Sequence, residues 1–125
     1  MTGNEYVELS MRTNDGKHEE RLLNTLDMCR YEINLAELIN GCFGLAGETG
    51  ELLDMVKKFV FHNAHLDHEH MKKELGDVTW YIALICKAMG WSLDEILQMN
   101  VDKLRARYPQ GFDTDLSNHR KEGDL

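Results

Sequence analysis

The chain has 125 residues, 42% of them hydrophobic, and a formal net charge of −8. That length suits one domain with a modest core, and the acidic balance disfavours non-specific nucleic-acid binding, which needs clustered Lys and Arg. An acidic protein still takes a polyphosphate when a divalent cation stands between the two.

Cys29, Cys42 and Cys86 are odd in number and show no CxxC pairing. They read as reduced, mostly buried thiols of a soluble, cytoplasmic protein. Met1 to Glu5 has neither a basic nor an apolar region, and no apolar run approaches ~18 residues, so neither a signal peptide nor a membrane span is expected. Pro109 is the single proline, leaving the preceding chain free to be helical. Abundant Ala, Leu, Met, Lys and Glu favour helices over strands, and the elements taken in order below make an all-α bundle of about four to five helices.

In chain order, Tyr6, Val7, Leu9 and Met11 suggest a short opening helix, closed by the polar stretch Thr13 to Lys17. A second periodic segment begins near Glu19, and Leu22, Leu23, Leu26, Ile33, Leu35, Leu38 and Ile39 recur at mainly helical spacing. Leu45, Leu52, Leu53, Val56 and Val60 carry the pattern onward, compatible with one long helix or with two meeting near Gly41. Glycine costs a helix about 1 kcal/mol against alanine, so Gly41, Gly44, Gly47 and Gly50 imply the close approach of another backbone or a ligand. His62 to Asp67 reads as a polar turn. Asp67 then caps a helix running to Met89, with Gly90 as its stop. Ser92-Leu93-Asp94-Glu95 has capping-box spacing for a last helix, ending by Tyr108 ahead of Pro109. These helices form one domain over residues 1–112, and residues 113–125 read as a polar, irregular tail.

Glu48 and Glu51 are three positions apart, as are Glu74 and Asp77. Residues at i and i+3 share a helix face, so each pair projects two carboxylates from one stripe. The turn at His62 to Asp67 makes the two helices antiparallel neighbours, and the four carboxylates then converge in a partly buried space. Like charges there repel, and a hard cation resolves the conflict. Oxygen-only ligands suit Mg²⁺, with Mn²⁺ as a substitute, whereas a ferritin-like di-iron site needs Glu-x-x-His. The bland alternative is a pair of solvated acidic helix faces.

His62, His65, His68 and His70 cluster near Asp67 without the spacing of a structural zinc site, and read better as an exposed turn. Lys57 and Lys58 follow the first acidic pair, within reach of a phosphate or simply solvated. Tyr81 shares a face with Asp77 and could meet a base or sugar, while Trp80 reads as core. Asn100, Lys103 and Arg107 form a polar stripe at i, i+3 and i+7, suited to phosphate or to solvent.

The run Gly44 to Leu52, then Lys57-Lys58, Glu74-Leu75-Gly76-Asp77-Val78 and Trp80-Tyr81, resembles the MazG-like nucleotide pyrophosphohydrolases. Asn100 to Leu104 and Arg107 to Phe112 fit the same family, and Glu5-Tyr6 through Arg12-Thr13 resembles its small phage and bacterial branch. The resemblance implies the all-α fold shared with dimeric dUTPases and phosphoribosyl-ATP pyrophosphatases. It also implies Mg²⁺-dependent cleavage of a nucleoside triphosphate to monophosphate and pyrophosphate. Family metal ligands map onto Glu48, Glu51, Glu74 and Asp77, and polar contacts onto Lys57, Tyr81, Lys103 and Arg107. One departure is Gly47, where many relatives carry a second acidic residue. In the mechanism this implies, carboxylates hold Mg²⁺ against the triphosphate and Glu51 orients the attacking water. Long amphipathic helices in a short chain, together with the resemblance, predict a homo-oligomer, dimer or tetramer. The competing possibilities are a non-enzymatic acidic helical protein that binds metal or a partner, and a phosphoribosyl-ATP pyrophosphatase.

Overall fold

The structure is a computed structural model describing residues 1–125. It is all-α, with α1 Gly3–Met11, α2 His18–Cys29, α3 Leu35–Phe61, α4 His68–Met89, α5 Leu93–Arg107 and α6 Thr114–Asn118. The helix count exceeds the expected four to five because the tail is not wholly irregular. Asp113 accepts a hydrogen bond from the Leu116 amide at 3.0 Å and starts the short α6.

Local chemistry explains most of the boundaries. Thr2 and Glu5 form a reciprocal capping box on α1: the Glu5 amide donates to Thr2 Oγ1 at 3.1 Å, and the Thr2 amide to Glu5 Oε2 at 2.5 Å. Asp67 Oδ1 accepts from the His70 amide at 3.0 Å, and Gly90 closes α4 in the left-handed region at φ 68°. Ser92 does start α5, but its side chain makes no capping bond, so the capping box expected there is absent.

The break between α2 and α3 falls at residues 30–34, not at Gly41. Asn34 makes the break, because its side chain accepts from the Glu37 amide at 3.0 Å while its own amide donates to the Ala88 carbonyl at 2.9 Å. That second bond ties the start of α3 to the end of α4. Helix α3 then runs unbroken through all four of its glycines.

Helices α3 and α4 form an antiparallel hairpin, the one helix pair in extensive contact. Gly41 and Gly44 let the two approach closely. A Cβ at Gly41 would lie 2.7 Å from Ile85 Cγ1, and one at Gly44 would clash with the Tyr81 ring at its Cε1. Gly47 and Gly50 face open space, so the close approach accounts for only the first two glycines.

The core is thin. Only Gly41, Cys86 and Ala88 are buried. Cys29 is half-buried and Cys42 exposed, which corrects the expectation of mostly buried thiols; all three are free. Trp80, expected in the core, is 58% exposed, and Phe43 is 75% exposed. The chain exposes 10457 Å², whereas a compact monomer of its mass would expose about 6,900 Å². No helix is long and apolar enough to cross a membrane.

Candidate functional site

The hairpin register positions the carboxylates. Gly41 faces Ile85 and Gly44 faces Tyr81. Continuing the same antiparallel step sets Glu48 opposite Asp77 and Glu51 opposite Glu74. Glu48 follows Gly44 by four positions and Gly41 by seven, so it lies on the stripe of α3 that meets α4. Asp77 and Glu74 precede Tyr81 by four and seven, on the matching stripe of α4.

Carboxylate oxygens of Glu48, Glu74 and Asp77 all lie within 4.8 Å of one another. Glu48 and Glu74 are half-buried and Asp77 exposed. Glu51, the fourth expected ligand, lies outside this trio and is exposed. Glu51 follows Gly44 by seven positions and so shares the stripe, yet its exposed carboxylate stands at the edge of the cluster, apart from the other three.

Electrostatics register the crowding. The Glu48 carboxyl is pushed above its ordinary value, first by loss of water around it and next by hydrogen bonding to Glu74. The charges of Asp77, Glu74 and Glu51 add to the shift. A hard divalent cation relieves such a cluster, and three carboxylates with open neighbouring space fit Mg²⁺ or Mn²⁺, which keep several waters when bound.

The other expected site residues are distributed unevenly. Lys57 is 3.2 Å from Asp54, and Lys58 is 2.6 Å from the same carboxylate, so both are held by a residue the sequence reasoning passed over. Tyr81 is half-buried over Gly44, with Trp80 edge-on at 5.0 Å between ring centroids. Asn100 and Lys103 are exposed on α5, which makes no extensive contact with α3 or α4. Arg107 is engaged by Asp124 of the tail. A hydrogen bond of 2.7 Å between His70 Nε2 and Glu74 Oε1 is not among the contacts expected from the sequence. Its signal was the i, i+4 spacing, which places His70 one turn before Glu74 on the same face.

Residues 42–112 match the model of the MazG nucleotide pyrophosphohydrolase domain. The chain belongs to this family. The matched segment holds the whole carboxylate trio, the α3–α4 turn and α5, and leaves α1, α2 and α6 outside it. A curated relative, the Gene 37 protein of Mycobacterium phage L5, is 33% identical over 72 residues, covering 54% of this chain. The alignment spans 63% of that relative's length. No solved structure matches the chain.

Proposed function

We propose that this MazG-family chain cleaves a nucleoside triphosphate to the monophosphate and pyrophosphate in a reaction that depends on Mg²⁺, with Mn²⁺ as a substitute. The convergence of Glu48, Glu74 and Asp77 on one side of the hairpin carries the proposal. These three side chains would hold the metal. Bound there, Mg²⁺ supplies charge neutralisation for the polyphosphate and lowers the pKa of a water. Glu51, one turn along and open to solvent, orients the attacking water toward the α-phosphorus. Lys57, Tyr81, Asn100, Lys103 and Arg107 contact the substrate, the cations gripping its distal phosphates so that pyrophosphate departs with its charge compensated.

The active form is a homo-oligomer. The chain exposes roughly 3,600 Å² beyond a compact monomer of its mass, more than the roughly 1,000–2,500 Å² that each partner of an obligate interface commonly buries. Within one chain α5 and its cationic stripe stand away from the carboxylates, and assembly of copies supplies both the missing cover and a route for those cations to the site.

Hydrolysis in ¹⁸O-labelled water, across all canonical NTPs and dNTPs, tests the chemistry. Label in the monophosphate and unlabelled pyrophosphate are expected. Orthophosphate as the first product would overturn the proposal. Glu74→Gln and Asp77→Asn should each abolish turnover at saturating Mg²⁺ while leaving the helical circular dichroism unchanged. Near-normal turnover in both would remove the metal assignment.

A further inference from the structure

The tail after α6 returns to the end of α5 and seizes one side chain. Arg107 Nε donates to Asp124 Oδ2 at 2.7 Å, Nη2 donates to Asp124 Oδ1 at 2.5 Å, and Nη2 also donates to the Leu125 carbonyl at 3.1 Å. The Arg107 side chain is left 9% exposed, in a protein whose other arginines in ion pairs are more than half exposed. A cavity of about 440 Å³ opens beside this pair, lined by Lys103, His119 and Lys121 as well as Arg107. The only acidic groups in that lining are Glu122 and Asp124. In an acidic chain this is a local cationic basket, and a carboxylate occupies its best donor.

We propose that this basket is a binding site for di- and triphosphates, and that Asp124 is a tethered stand-in for the phosphate, which must leave before the ligand enters. The inference rests on the assignment of Arg107 to substrate phosphate made above, and adds that the chain regulates that contact itself. The guanidinium fork takes a carboxylate and a phosphate in the same paired geometry. A di- or triphosphate carries more charge than one carboxylate and reaches Lys103 and Lys121 as well, so it displaces Asp124 once bound. The latch is also weakly anchored. Helix α6 has five residues, and Leu125 is 90% exposed. A segment in which no residue is buried opens at low cost. Arg107, with Arg120 and Lys103 nearby, holds the Asp124 carboxyl below its ordinary value, so the latch stays charged near neutrality.

The test uses the full chain in EDTA, so that the carboxylate trio recruits no metal, with inorganic pyrophosphate and a non-hydrolysable nucleoside triphosphate titrated separately by calorimetry. If the latch is shut nine-tenths of the time, Asp124→Asn should tighten binding about tenfold, since apparent affinity scales with the open fraction. Arg107→Ala should remove binding in either background. A gain for both ligands supports the latch and identifies the polyphosphate as what is recognised; a gain for the nucleotide alone supports it and adds the nucleoside. Unchanged affinity for both in Asp124→Asn overturns the latch, and is what a contact that merely pins the tail would give. Should Asp124→Asn fold poorly, the Arg107 Nε–H resonance of the unaltered chain decides: it should shift on titration with pyrophosphate, and a resonance that stays fixed overturns the latch. Hydrolysis without any gain in affinity overturns the latch and leaves the pyrophosphohydrolase intact. A gain in a chain that hydrolyses nothing does the reverse.

Discussion

Replacing Gly44 by alanine tests the packing that sets the site. An alanine Cβ there would meet Tyr81 at Cε1, Cζ and Cδ1, all within the ring itself. A ring cannot bend aside as a flexible chain end does, so either Tyr81 leaves its rotamer or the two helices part. Overpacking of this kind costs about 1–3 kcal/mol, and interpenetration with a ring belongs at the upper end. Alanine offsets about 1 kcal/mol of that through its better helix propensity. The expected net loss is about 1–2 kcal/mol. Gly76→Ala is the control, because nothing lies within 4 Å of a Cβ at that position of α4. Propensity alone then applies, and the variant should gain about 0.5–1 kcal/mol. Urea unfolding followed by circular dichroism, at one protein concentration to hold assembly constant, should separate the two variants by about 1.5–3 kcal/mol. Adding Tyr81→Ala to Gly44→Ala should recover about 1 kcal/mol or more relative to additivity, because the clash has lost its partner. If Gly44→Ala proved as stable as Gly76→Ala, the close approach at Tyr81 would be refuted, and with it the register that sets Glu48 opposite Asp77.

Two further outcomes follow from the same structure. Phe43 is 75% exposed on α3, so Phe43→Asp should shift the species seen by light scattering toward the monomer and lower activity with it; a fully active monomer at micromolar concentration would refute the oligomer. The depressed Asp124 pKa gives a defined acid response. Stabilisation from a carboxylate whose folded pKa is lowered is complete above its unfolded value, near 3.9, and is lost as pH falls through the folded value. The tail should therefore stay docked from pH 7 to pH 5 and detach only below about pH 4, as read from tail amide resonances. Detachment near pH 6 would mean that another group governs it.

Legibility in the sequence tracked how local the determining interaction was. The Asp67 start, the Gly90 stop and the Pro109 limit are set within a turn of chain, and each was readable from residue type. The Asn34 break was local too, an Asn capping the amide of Glu37 three residues on, but the run of apolar residues on either side of it masked the cap, and its second bond, to Ala88, is not encoded locally. Gly41 and Gly44 announced a close approach without saying to what. Two carboxylate pairs at i, i+3 pointed to a site, yet spacing alone could not distinguish Glu48, facing α4, from Glu51 at the edge. The capture of Lys57 by Asp54 was readable as an i, i+3 pair. The capture of Arg107 by Asp124 spans a turn, a bend and α6, and no periodicity encodes it.

The hairpin therefore has two functions along one interface. At the α3 start and the α4 end, glycine against Ile85 and Tyr81 brings the helices into close contact, and the Asn34 amide is bonded to the Ala88 carbonyl. Toward the turn the same stripes carry carboxylates, which repel each other and push Glu48 away from its ordinary acidity. The packed end fixes the register in which the acidic residues of the two helices meet. The proposed metal site asks for such a mount, since a binding constellation must be held within about 0.5 Å of its productive geometry. The hairpin cannot supply the rest. Phe43, Trp80 and Phe61 on these two helices are all more than half exposed, so the hairpin by itself is a half-built core, which is why the proposed function includes a second copy.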